Sequence, residues 1–172
     1  MIVIDLHRLG LWREMCEHYE VIVPSIIAHE AHWYWDPELG QRCEIDLQAE
    51  ASAGRIRIAE ASAEQMNQLL TLFDCLMQGA LHPGEQEALA LLYARQIENC
   101  WFCSADQAAV KALILLEMGQ AGASLERALQ EAGLLNRAGK LDGHCTEACY
   151  QRWVNEARVD RIQGRGLARS LF

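Results

Sequence analysis

The chain has 172 residues and a formal net charge of −9, with 51% hydrophobic and 23% charged residues. That is the balance of one globular domain with a sizeable core, and it excludes the broadly basic surface of a protein that coats nucleic acid without specificity. Nowhere do about 18 uncharged apolar residues run together, which excludes a transmembrane helix. The seven cysteines are odd in number and follow no secretion signal, which argues against a disulfide framework, and a cytoplasmic protein is the expectation.

In chain order, IVI at 2–4 reads as a very short strand ending at Asp5. Leu6 to Tyr19 has helical spacing, with Leu6, Leu9, Trp12 and Cys16 three or four apart. EVIVP at 20–24 is β-branched and closed by proline, a strand signal. Ser25 caps a helix to about Trp35, and DPELG breaks it. A polar helix follows over Cys43 to Ala51, then the strand RIRIA at 55–59. Ser62 with Glu64 and Gln65 opens a helix to about Met77. Pro83 opens another, built almost wholly of strong helix formers. NCWFCS at 99–104 is the next strand, and the segment after Asp106 is helical to Gly119. Ser124 to Gly133 is a capped and terminated helix, and a last helix spans about Thr146 to Arg158.

Strands alternating with helices predict an α/β fold with a parallel sheet flanked by helices. Residues 1–140 form the expected main domain, and 141–172 an appended helix and basic tail carrying Arg158, Arg161, Arg165 and Arg169. The tail reads as a solvated extension, with tracking of an RNA backbone as the functional alternative.

Ligands of open α/β sheets bind beyond the carboxyl ends of the strands. Four acids fall there: Asp5, Glu30, Glu85 and Asp106. Clustered carboxylates repel one another unless divalent cations neutralise them, and Mg²⁺ or Mn²⁺ suits an all-oxygen site. Such a site can activate water for in-line displacement at phosphorus. Stabilisation of helix N-termini is the plainer reading of the same acids.

HPGEQEALALLYARQIENCWFCSADQAAVKAL resembles the PIN-domain family of metal-dependent ribonucleases. The helix start Gly84-Glu85-Gln86-Glu87-Ala88-Leu89 and the turn Ser104-Ala105-Asp106 occupy that family's motif slots. VIVPSIIAHEA resembles its strand, proline and helix, with the acid at Glu30, and GASLERALQEAGLL resembles a later strand-to-helix passage. The resemblance covers about residues 1–135. It implies a PIN-like three-layer α/β/α fold around a short central parallel sheet. It implies a Mg²⁺- or Mn²⁺-dependent ribonuclease with Asp5, Glu30, Glu85 and Asp106 at the metal and Ser104 beside them. It also raises an antitoxin-like protein partner and a homodimer. The departure is at Asp5, which is followed by Leu6-His7 where the family has small polar residues. In a second register the first strand and first acid lie before Met1, and Asp5 is a helix residue. The alternative function is then a catalytically impaired module that binds nucleic acid or a protein.

Three other features have plain readings. His29, Glu30 and His32 lack the four-residue histidine spacing of a zinc-protease helix. The middle reading keeps Glu30 as an acid with His29 or His32 near a substrate phosphate. His144, Cys145 and Cys149, with Cys100 and Cys103, offer zinc donors without a strong spacing pattern, and buried thiols are the expectation. Cys100 and Cys103 form a C-x-x-C pair inside an expected strand, whereas redox pairs sit at helix N-termini.

Overall fold

The computed structural model describes residues 1–36 and 39–168. Arg169 of the expected basic tail lies outside the described residues.

The chain opens on a helix, not on a strand. Helix α1 is Ile2–Arg8, and α2 is Trp12–His18. Val3 and Leu6, three residues apart, are both buried, so the apolar run follows helical spacing. Three apolar residues are too few to separate the two periods from sequence. Asp5 therefore lies mid-helix, as the second register has it. Gly10, at φ 64°, turns the chain between α1 and α2 and divides the single helix expected from Leu6 to Tyr19.

Strand β1, Val21–Pro24, pairs in parallel with β4, Ile56–Ala59, in the register Val21 to Ile56 through Pro24 to Ala59. Between them the sequence expectation fails. Helix α3 stops after six residues, Ser25–Glu30. An antiparallel hairpin follows, β2 (Trp33–Asp36) against β3 (Gln41–Glu44). Trp33 and Trp35 face outward and Tyr34 packs against the core, a period of two that suits aromatic residues in a strand. Arg42 covers the Trp33 ring at 4.1 Å. The polar helix is shorter than expected: α4 is Leu47–Ser52, capped by Asp46, whose carboxylate accepts from Ala49 N at 2.8 Å.

The helix expected from Ser62 to Met77 is two helices, α5 (Ala63–Thr71) and α6 (Cys75–Ala80). Asp74 divides them by capping the second, accepting from Met77 N at 2.9 Å. Helix α7 is Pro83–Tyr93. Strand β5 is only Phe102–Cys103, so Cys100 lies outside it. It pairs in parallel with β6, Gly122–Ala123. Helix α8, Gln107–Leu115, connects them, and α9, Leu125–Glu131, follows β6. Helix α10 is Glu147–Ile162.

The protein is thus an α/β structure with short parallel strand pairs. The single central sheet expected from sequence is replaced, among the described residues, by separate pairs β1–β4 and β5–β6. The segment expected to supply a strand, 2–4, is helical and offers no edge to either pair. Val3, Leu6 and Trp12 instead pack with Val23, Ile56 and Leu125 in one core. Leu69, Phe73, Leu89, Phe102 and Leu113 form a second. In a third, Val110 and Ile114 of α8 meet Tyr150, Trp153 and Ala157 of α10. Lys111 reinforces that contact, 3.0 Å from Glu156 and 3.3 Å from Asp160. Gly122 is required beneath α10, since a Cβ there would lie 1.9 Å from the Tyr150 hydroxyl and 2.7 Å from Leu113. Arg161 pairs with Glu117, and Arg165 with Asp160 at 2.5 Å, so two arginines of the basic segment are engaged within the protein. No helix among the described residues is long and apolar enough to cross a membrane.

Candidate functional site

Strand β5 delivers its acid through a short turn. Ser104 is buried, and its hydroxyl accepts from Asp106 N at 3.1 Å. Asp106 then caps α8, its carboxylate accepting from Ala109 N at 3.0 Å. One Asp106 oxygen is committed to that bond. The Ser-Ala-Asp stretch is therefore a helix start that also holds a carboxylate in place.

The partner acid comes from α7. Pro83 sits in the first turn of that helix, and Gly84 is buried against α3. A Cβ at Gly84 would stand 2.6 Å from the Ile27 side chain, so glycine lets the first turn of α7 lie directly on α3. Glu85 follows at once. Its Oε2 is buried and has no hydrogen-bond partner. Burial pushes the Glu85 carboxyl above the ordinary range, and the Asp106 charge adds to the rise, while His82 and the Met1 amino group oppose it. Glu85 and Asp106 therefore share one neighbourhood near the Met1 amino group.

Glu87, two positions on, points elsewhere and has a different task. It is 2% exposed. Its Oε1 accepts from the Ser25 hydroxyl at 2.7 Å and from Ala61 N at 3.2 Å, and its Oε2 from Ile26 N at 2.7 Å. One buried carboxylate thus satisfies the start of α3 and the exit of β4. The alternating acids of the G-E-x-E stretch divide into one strut and one carboxylate with an unpartnered buried oxygen.

The other two expected acids are placed differently. Glu30 is exposed on the last turn of α3, and no hydrogen bond or ion pair engages its carboxylate among the described residues. The neighbouring His29 donates from Nδ1 to the Ser25 carbonyl at 2.6 Å. Asp5 is buried on α1 beside the Met1 amino group, at 3.7 Å, and among the described residues it does not gather with Glu85 and Asp106 within 4.8 Å.

Asp5 instead meets residues from the far end of the chain. Donor atoms of Asp5, His144 and Cys145 all lie within 4.8 Å of one another, a group that can hold a metal ion. Asp5 and Cys145 are buried and His144 is exposed. In place of the grouping of His144, Cys145 and Cys149 with Cys100 and Cys103 that the sequence offered, the structure brings His144 and Cys145 to Asp5. Nothing local signals it, because Asp5 and Cys145 are 140 positions apart.

The thiol chemistry is that of enclosed groups. Burial pushes Cys145 up to about 12, with Asp5 and Asp142 adding to it. Burial also carries Cys103 to about 12, with Cys145 and Asp5 adding. Cys103 as a residue keeps some accessible surface, but its thiol is closed in. Cys100 is raised by burial as well. An exchange-active thiol needs the opposite shift. All seven cysteines are free. A cleft of about 890 Å³ lies along α10 and is lined by Arg127, Tyr150, Arg158 and Arg161, with neither Glu85 nor Asp106 in its wall.

No family model, curated protein or solved structure matches this chain.

Proposed function

We propose that this protein is a divalent-metal-dependent phosphodiesterase acting on RNA, built on a PIN-like α/β/α plan, with Glu85 and Asp106 as its central acids. The observation that carries the reading is the buried Glu85 Oε2, which has no partner and lies near a second carboxylate. Buried charges are normally paired or bound to metal. Mg²⁺ or Mn²⁺ fits an all-oxygen pair of this kind, and it would stabilise charge in the displacement at phosphorus. Ser104 positions Asp106 through its backbone amide. Glu30, exposed on the last turn of α3, enters this reading through the family resemblance.

The test is cleavage of single-stranded RNA with added Mn²⁺. Asparagine caps helices as well as aspartate does, so Asp106→Asn should leave α8 intact. It should lower the rate by on the order of a hundredfold or more, since metal-held charge stabilisation is worth several kcal/mol. Cleavage that persists unchanged in Asp106→Asn sinks the proposal.

A second reading, an RNA-binding module without turnover, draws on the hairpin. Trp33 and Trp35 are 45% and 52% exposed on one face of β2, with Arg42 over Trp33. Exposed aromatic rings with arginine can stack bases. RNA affinity that survives Asp106→Asn, falls in Trp35→Ala and never leads to cleavage would favour it.

A further inference from the structure

We infer that Asp5, His144 and Cys145 form a zinc-class metal site that ties the first helix to the segment entering α10. It is separate from the Glu85–Asp106 pair and does not depend on the proposed phosphodiesterase activity.

The geometry supplies three different donors, carboxylate oxygen, imidazole nitrogen and thiol sulfur, all within 4.8 Å of one another. Zinc takes these donors at about 2.0–2.3 Å in a tetrahedral array, which separates neighbouring donors by roughly 3.3–3.8 Å. Closing the group around an ion therefore takes a contraction of about 1 Å, within reach of a side-chain rotation of the exposed His144. Thiolate and imidazole select zinc or a similar borderline ion and disfavour Mg²⁺, whose site is all-oxygen. Three protein donors leave a fourth position open to water on the His144 side.

The carboxylate of the group is loosely held. Asp5 is 8% exposed, and its carboxylate is held only by long contacts, two ion pairs and one thiol hydrogen bond. The Met1 amino group and Arg8 Nη1 each stand at 3.7 Å, and Cys145 Sγ at 3.9 Å. Arg8 leans instead towards Asp142, at 3.4 Å. A cation between Asp5 and Cys145 would complete the group. The thiol proton leaves to solvent as the thiolate binds, so the site loads better as pH rises.

The placement gives the ion a structural task. Asp5 lies on α1, whereas His144 and Cys145 lie in the 3₁₀ turn Gly143–Cys145 that leads to α10. The ion would cross-link elements from the two ends of the chain.

The test uses the full chain, stripped with a chelator, dialysed and titrated with ZnSO₄ against a chromophoric competitor. The expected result is one zinc per chain. Loss of one residue that merely orients a ligand weakens metal sites by about 10–100-fold, so His144→Ala and Cys145→Ser should each weaken affinity by at least about 100-fold. His144 is exposed, so its variant tests the site without threatening the fold. Cys149→Ser, a nearby thiol outside the group, should bind as the parent does. Cobalt in place of zinc should show a thiolate charge-transfer band that Cys145→Ser removes. Zinc saturation should raise Tm by at least about 5 °C, because an ion that binds only the folded chain stabilises it. No zinc binding tighter than micromolar in the parent, or equal binding by His144→Ala and Cys145→Ser, overturns the inference. RNA cleavage is not a readout here, so the two proposals can fail independently.

Discussion

Replacing Glu87 by glutamine tests whether the second acid of the G-E-x-E stretch is a strut. The substitution preserves volume but exchanges one acceptor oxygen for a donor. Glu87 receives three hydrogen bonds, at 2.7, 2.7 and 3.2 Å, from Ser25 Oγ, Ile26 N and Ala61 N. Glutamine in its better orientation keeps its oxygen on Ile26 N, and the Ser25 hydroxyl can turn to accept from the new amide. Ala61 N is then left facing a donor. Orphaning one buried amide costs about 1–3 kcal/mol, and making the remaining bonds neutral costs about 1 kcal/mol more. Relief of the buried charge offsets part of this. The net expectation is a loss of about 2 kcal/mol, or about 4–8 °C in Tm for a chain of this size. Glu87→Ala orphans all three donors and opens a cavity, so it should cost about 4 kcal/mol. Thermal unfolding followed by circular dichroism measures both. The exposed Glu98 is the control: Glu98→Gln should shift Tm by less than about 1 °C. If Glu87→Gln also moves Tm by less than about 1 °C, the strut argument is wrong.

Glu85 should behave in the opposite sense. Its folded carboxyl is held above its ordinary value by burial first and by Asp106 second. The ionised form is therefore disfavoured in the folded chain. That cost is fully present above the folded pKa and disappears as pH falls below the unfolded one. Glu85→Gln should stabilise the metal-free protein at pH 7 by up to about 1 kcal/mol, discounted for partial exposure, and this gain should vanish by about pH 4, where the parent side chain is protonated too. Denaturant titration at the two pH values checks it; a loss of stability at pH 7 would contradict it. In the packing beneath α10, Gly122→Ala should cost about 1–3 kcal/mol, the range for overpacking a filled site. A shift in tryptophan fluorescence should accompany it, because Tyr150 packs beside Trp153. An unchanged Tm would mean that Tyr150 moves aside freely.

The elements that sequence reading placed well carried strong local marks. Pro83 opens α7, Ser62 and Gln65 make a full capping box, and Ser124 caps α9. Each mark is chemistry between neighbours, so it is legible without tertiary knowledge. The elements that went astray depended on distant contacts. IVI is apolar enough for either period, and Trp12, Ile56 and Leu125 around it decide that Val3 and Leu6 face inward from a helix. The Trp-Tyr-Trp run reads as helix in sequence because it follows the helix start at Ser25, but Ala31 leaves helical geometry at ψ 72° and the hairpin begins two residues later. Asp74 was overlooked as a second cap because the apolar spacing on either side of it is continuous with helix.

The candidate sites follow the same division. Glu85 and Asp106 could be singled out because a carboxylate at the start of a helix, in its first turn or at its cap, is visible in sequence. That Glu87 would be a buried strut was not visible. Residues 85 and 87 lie about 200° apart around a helix, and only the position of α3 tells which one is covered. The Asp5 group was invisible for a stronger reason. Its donors come from opposite ends of the chain, so no spacing rule reaches it, and Asp5 enters the group only because α1 is helical. A strand over 2–4 would have directed Asp5 towards a strand end. The helix turns it instead towards Cys145, with the Met1 amino group 3.7 Å from Asp5 and also opposing the rise at Glu85. The conformation of seven residues at the start of the chain thus decides whether Asp5 belongs with Glu85 and Asp106 or with His144 and Cys145.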